Sequence, residues 1–231
     1  MFIWGHRGCR GIDGLDENTL AACAWALEHG AHGLEFDVQV SSDGIPFVFH
    51  DQTLVRVGAS SDNRVVESLS WSSLETIKLK QGGRIPRLEE MTVFASQARM
   101  NLEVKTLSAV PSVIGYLHGV ARDDWVISSF EFEALSAIRE AHPGVELGYL
   151  LERADEETLQ DCATRAREQI FELDPQRIHL DVELCVSPIL SSLTSLGIPI
   201  HVWTVNSRTR GELLGNQGVV GLFTDDARLF V

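Results

Sequence analysis

The sequence predicts an α/β protein folded as a TIM (β/α)8 barrel, and three observations carry that expectation. Short apolar runs rich in β-branched and aromatic residues alternate with helix-like segments almost to the end of the chain. Eight such runs can be placed, enough to close a barrel rather than leave an open sheet. The length of 231 residues lies near the small end of the range for that barrel and can enclose a sizeable core. Together they predict one domain over 1–231, with a parallel sheet at its centre.

The strands are expected at 2–6, 33–38, 100–105, 125–129, 145–151, 177–182, 199–205 and 219–224. Helical segments fall between them at about 18–29, 88–98, 110–120, 131–141, 156–168, 188–196 and 207–214. Asn18 or Thr19 can accept the free amides that open the first helix, and Gly30 can end it in a left-handed conformation. His142-Pro143-Gly144 stops the fourth. One segment breaks the alternation. Ser42-Asp43-Gly44 reads as a hairpin turn into a strand-like 46–50, and a polar stretch follows over about 51–87. This is a small insertion after the second strand, on the face where such barrels hold their active sites. It reads as a subdomain or substrate lid, or as a decorated loop that touches no ligand.

Composition narrows the function. Hydrophobic residues make up 44% and charged residues 23%, as in an ordinary globular protein. A formal net charge of −14 works against nucleic acid and anionic membrane surfaces as partners. A phosphate-bearing ligand therefore needs a local cation or focused Arg and Lys side chains. Cys9, Cys23, Cys162 and Cys185 form no C-x-x-C pair and read as reduced thiols, with Cys9 an incidental one. No long apolar segment signals stable membrane insertion and no basic leader opens the chain, so a cytoplasmic location is expected. Nothing in the sequence specifies an oligomeric state.

Chemistry concentrates at strand ends. In Gly33-Leu34-Glu35-Phe36-Asp37-Val38 the acids are two residues apart, so both leave the strand on one face. A buried parallel strand should be almost continuously apolar, and two carboxylates there need compensation. A hard cation such as Mg²⁺, Mn²⁺ or Ca²⁺ would supply it, and so would a salt bridge at the rim. Asn101-Leu102-Glu103-Val104-Lys105 repeats the anomaly. Glu103 adds a third carboxylate and Lys105 a point charge for an anion, unless the two pair privately.

Gly5-His6-Arg7-Gly8 puts an imidazole and a guanidinium suited to phosphate at the end of the first strand. His50, before Asp51, offers a second imidazole, and two histidines allow acid and base roles near neutrality. His201 and Trp203 share a face of the seventh strand, where His201 reads as interior filling and Trp203 as packing. Asp181 and Glu183 reach the mouth or sit on a solvated loop. His29, His32, His118, His142 and His179 stand in contexts that carry no functional expectation.

Taken in order, His6-Arg7-Gly8, Glu17-Asn18-Thr19, Glu35-Phe36-Asp37-Val38, Asp43-Gly44, and His50-Asp51 with Leu54 and Arg56 resemble the glycerophosphodiester phosphodiesterase family. Ile85-Pro86, Leu88-Glu89-Glu90, Leu102-Glu103-Val104-Lys105, Ser129-Phe130, Trp203-Thr204-Val205-Asn206 and Thr224-Asp225 extend the resemblance over essentially the whole chain. It implies a TIM barrel with a small insertion, and a divalent cation held by Glu35, Asp37 and Glu103. It also implies His6 and His50 as the acid and base pair, Arg7 and Lys105 on the phosphate, and Trp203 lining the glycerol side.

The implied reaction, in lipid and glycerol metabolism, hydrolyses a glycerophosphodiester to glycerol 3-phosphate and an alcohol. Asp16 departs from the proline often found before Glu-Asn-Thr, Val57-Gly58 from the usual threonines, and Ala227 from the proline that commonly follows Thr-Asp. Rival readings are a lysophospholipase D-type or other phospholipid phosphodiesterase, and a non-catalytic phosphate- or metal-binding barrel.

Overall fold

The computed structural model describes residues 1–60, 62–119 and 125–231. The expected alternation becomes eight parallel strands: β1 (Phe2–Gly5), β2 (Gly33–Val40), β4 (Arg99–Val104), β5 (Trp125–Ser129), β6 (Glu146–Leu151), β7 (Arg177–Asp181), β8 (Ile200–Trp203) and β9 (Gly221–Thr224). Each pairs with the next, and β1 pairs with both β2 and β9, which closes the sheet into a barrel. A short strand, β3 (Pro46–Val48), runs antiparallel to the far end of β2 with Val38 opposite Val48.

Helices α1 (Leu20–Glu28), α3 (Val110–Gly119), α4 (Phe132–Ala141), α5 (Leu159–Leu173), α6 (Ser187–Thr194) and α7 (Arg208–Asn216) connect the strands, and α2 (Trp71–Leu74) is a single turn in the insertion. Thr19 caps α1 by accepting from the Ala22 amide, and Asn18 takes a left-handed conformation and serves the site instead. The segment expected as an α-helix over 88–98 is a 3-10 helix, Leu88–Phe94, capped where the Glu90 carboxylate accepts from the Arg87 amide. Residue 120 of the helix expected at 110–120 lies outside the described residues.

Period-two alternation assigns every strand two faces. Outward residues such as Leu34, Phe36, Val38, Leu102 and Ile127 form the main core against the helices. Inward residues fill the barrel in layers: Trp4, Val126 and Phe223 make one cluster, with Trp4 and Phe223 stacked at 5.6 Å. Glycine supplies room for rings at two inward positions. A Cβ at Gly148 would lie 2.4 Å from the His179 ring, and one at Gly221 would lie 2.3 Å from the His201 ring. His201 is interior, as its spacing suggested, and its Nδ1 accepts from Trp4 Nε1 at 2.7 Å. Glu146 with Arg99 and Arg177 fills the opposite end of the barrel.

The insertion is less polar than its sequence suggests. Phe47, Phe49, Leu54, Val66, Trp71, Leu74, Leu79 and Ile85 form a second buried cluster, their spacing too uneven to show as either a strand or a helix period. Its attachments to the barrel are polar. The Asp16 carboxylate accepts from the amides of Gln81 and Gly83 at 3.0 and 2.9 Å, which gives the departure from proline at this position a physical role. Glu67 reaches the hydroxyls of Thr106 and Ser108 beyond β4. Among the described residues no helix is long and apolar enough to cross a membrane.

Candidate active site

The C-terminal ends of the barrel strands converge on a cavity of about 330 Å³ whose lining includes His6, Arg7, Glu35, His50, Glu103, Lys105 and Trp203. All but Trp203 were singled out by residue type and spacing; Trp203 read as packing on those grounds and was placed at the site only by the family resemblance. Asp37 lies beside them, ion-paired to Arg7 and Lys105. The three acids are buried and bring one carboxylate oxygen each within 4.8 Å of one another, the one such group among the described residues.

Local backbone explains how the acids are held. Arg7 and Gly8 take positive φ angles at the turn after β1, which turns the Arg7 amide onto Glu35 Oε2 at 2.8 Å. Asn18 donates from Nδ2 to Asp37 Oδ2 at 2.8 Å and accepts from the Asp37 amide. Lys105 Nζ sits against Glu103 Oε1 and reaches Asp37 Oδ1 at 3.4 Å. The Glu103–Lys105 pair is thus real but not private.

Counted as ionised, three carboxylates face two cations, Arg7 and Lys105, one negative charge more than the cations offset. Its effect falls on Glu35. Burial, with Asp37 and Glu103 beside it, pushes its carboxyl well above the usual range, and Glu35 Oε1 has no hydrogen-bond partner. Burial also raises Glu103 despite Lys105, whereas at Asp37 the opposing pull of Lys105 and Arg7 outweighs burial and holds it low. An all-oxygen donor set with an orphaned oxygen and excess negative charge fits a hard divalent cation.

Each imidazole leans on a carboxylate. His6 Nδ1 lies 2.7 Å from Asp225 Oδ1, and Asp225 accepts from Asn206 Nδ2 and donates its amide to Asn206 Oδ1. His50 Nδ1 lies 2.7 Å from Asp51 Oδ1, and Arg56 grips the same carboxylate from Nε and Nη2. Arg56 also binds Glu17, which bonds Arg7, so the insertion and the first βα loop share one ionic network. Gln39 Nε2 lies within 3.1 Å of the carbonyls of Phe49, His50 and Asp51 and fixes that loop on β2.

Burial lowers the pKa of both histidines against the raising effect of their carboxylates, so both rings are neutral near pH 7. With a carboxylate accepting at Nδ1, the proton sits there and each Nε2 carries a lone pair.

Trp203 forms a wall, edge-on to Phe130 at 5.4 Å, with Nε1 donating to the His179 carbonyl. His179, for which the sequence gave no functional expectation, lines the same cavity. The period-two spacing of Arg177, His179 and Asp181 was the available signal. Asp181 and Glu183 line a neighbouring cavity with Glu152 instead. Cys9 is buried, and burial pushes its thiol up to about 12, so it is inert near neutrality. No described residue from 51 to 87 lines the central cavity; Asp51 and Arg56 are what connect the insertion to it.

Residues 6–229 match the model of the glycerophosphoryl diester phosphodiesterase family. A glycerophosphodiester phosphodiesterase of Caldanaerobacter subterraneus is 26% identical over 244 residues, covering 99% of this chain and 96% of that protein. One from Bacillus altitudinis is 27% identical over 239 residues, covering 96% of this chain and 94% of its own length. An Oleispira antarctica phosphodiesterase, solved with the product sn-glycerol-3-phosphate, superposes with a TM-score of 0.86 at 25% identity, covering 99% of this chain and 95% of that one. Fold, cavity and relatives agree: the chain belongs to the glycerophosphoryl diester phosphodiesterase family.

Proposed function

We propose that this enzyme hydrolyses glycerophosphodiesters to glycerol 3-phosphate and an alcohol, with a divalent cation at Glu35, Asp37 and Glu103. The observation that carries this reading is one cavity lined by two buried carboxylates, with a third, Asp37, beside them, two cations and two carboxylate-braced imidazoles. The product bound to the Oleispira relative supports a small phosphate ester as ligand. When bound, the cation would neutralise charge that builds on the phosphate oxygens as the P–O bond breaks.

Arg7 and Lys105 orient the phosphate through their guanidinium and ammonium groups. One imidazole accepts at Nε2 the proton of the nucleophile, either water or the neighbouring glycerol hydroxyl; the other, neutral in the free enzyme, takes up a proton beside the negative charge of the bound phosphate and delivers it to the departing alkoxide. Asp225 and Asp51 keep each ring in the tautomer that exposes Nε2. Trp203 walls the glycerol side. The insertion braces His50 through Asp51 and Arg56, and any lid-like motion of it would act through that brace.

The test is an assay of glycerophosphodiesters for released glycerol 3-phosphate with Mg²⁺, Mn²⁺, Ca²⁺ or chelator. Activity restored by one of the ions is expected, and full activity in chelator would overturn the metal assignment. Binding should also be visible without turnover. An ion at about 100 times its Kd should add about 2.7 kcal/mol of stability, an increment lost in Glu35→Gln.

A further inference from the structure

The carboxylates that brace the two imidazoles each meet a guanidinium at the same oxygen the ring uses. Arg10 Nη1 lies 3.5 Å from Asp225 Oδ1, which His6 Nδ1 meets at 2.7 Å. Arg56 Nη2 donates at 2.8 Å to Asp51 Oδ1, which His50 Nδ1 meets at 2.7 Å. Both guanidiniums also end on one further carboxylate, Glu17. Arg10 Nε donates to its Oε2 at 3.2 Å, and Arg56 donates to both of its oxygens at 2.7 Å. Arg7 adds a bond from Nη1 to Oε1 at 2.8 Å. An unbroken chain of contacts thus runs from His6 through Asp225, Arg10, Glu17, Arg56 and Asp51 to His50.

Glu17 has no part in the chemistry assigned above and does not line the central cavity, yet its side chain is only 11% exposed. Burial alone would raise its carboxyl, but the bonds from Arg56 and Arg7 hold it well below the usual carboxylate range, so it stays ionised. Arg10 and Arg56 are more open, at 32% and 42%, and separate ion pairs at such positions add little to stability. What a shared acceptor adds is direction. Released from Glu17, either guanidinium is free to close on its Oδ1 and compete with the imidazole there.

We infer that Glu17 is a positioning residue that ties the two imidazoles into one unit, holding Arg10 and Arg56 so that Asp225 and Asp51 accept from the rings. The proton-transfer role of those rings rests on the phosphodiesterase reading; the coupling between them does not. Each ring so held keeps its proton at Nδ1 and its lone pair at Nε2. A disturbance at one brace passes to the other through a carboxylate that touches neither ring.

Nitrogen NMR of the full chain labelled at histidine reads the tautomer of each ring above neutral pH, with the two signals assigned by their loss in His6→Ala and His50→Ala. A fixed Nδ1–H tautomer keeps the two ring nitrogens far apart in shift, and exchange between tautomers draws them together. The native protein should show both rings fixed, and Glu17→Gln should narrow the separation in both. In the same variant kcat on a glycerophosphodiester with Mg²⁺ should fall about tenfold. If Glu17→Gln fails to fold, the crossed comparison carries the test: Arg56→Ala should disturb His6, and Arg10→Ala should disturb His50. Rings already mixed in the native protein overturn the inference. So does a response of one ring alone or of neither in Glu17→Gln, a kcat within about twofold of native, or a distant ring that stays fixed in both arginine variants. A protein whose rings respond together yet which releases no glycerol 3-phosphate from diesters retains the coupling and overturns the activity reading instead.

Discussion

His6 and His50 carry the same device on different supports. His6 is braced by Asp225, 219 residues away, through the register that sets Gly5 of β1 against Thr224 of β9. His50 is braced by its own sequence neighbour, and that neighbour by Arg56 of the insertion. The first pair is a property of barrel closure, the second of a local loop tied down by an ionic network. The second imidazole is also more open, with 30% of its side chain exposed against 11% for His6. The two opposite proton transfers proposed for the reaction would thus be served by two pairs alike in chemistry and unlike in mechanical support.

The largest expected effect treats the pairs as equals. His6→Ala and His50→Ala should each lower kcat by roughly 10²–10⁴-fold with unchanged thermal unfolding, and a near-normal rate in either would end the symmetry. Next, Asp225→Asn and Asp51→Asn should each lower kcat by on the order of tenfold or more through loss of the Nδ1–H tautomer. Asp225→Asn should lose more, because His50 keeps the fixing of its loop by Gln39; an equal loss would show that the supports do not matter.

Arg56→Ala should lower kcat by about threefold to tenfold, since it acts on His50 only through Asp51 and an exposed ion pair is worth little by itself. A change confined to KM would place the insertion's influence on substrate binding.

The smallest effect is on stability. Burial holds His6, His50, His179 and His201 below the ordinary 6.5, His201 at about 3. The unfolded chain takes up protons at these rings first, so stability is greatest above 6.5 and falls as the pH drops toward the folded values. The raised carboxyls of Glu35 and Glu103 act in the opposite sense, but four rings outnumber two acids, so urea midpoints should decline on acidification from about pH 7 to 5; a rise would show that the carboxyls dominate.

Much of this site was legible because period-two spacing is local. Glu35 with Asp37 and Glu103 with Lys105 declare a shared face without any knowledge of their neighbours. The same rule applied to Arg177, His179 and Asp181 would have turned His179 inward, but a lone histidine among apolar residues carries no sign of what it faces. Asp225 as the brace of His6 depends on which strands meet at closure, and no local spacing encodes that. The insertion's apolar cluster was hidden for another reason: it is assembled from turns and single residues, where neither strand nor helix periodicity operates.

Barrel closure also gives the chain an order of completion. Every acid, cation and imidazole assigned to the chemistry lies at or before Lys105, so a growing chain has made them all before it reaches its midpoint. The Trp203 wall and the Asp225 brace come from the last two strands, and β1 stays unpaired on one side until β9 arrives. Synthesis runs from the N-terminus, so the reagents exist long before the vessel does. Catalytic competence in this architecture marks a finished molecule, and loss of the final strand should silence a site whose reactive residues are all still present.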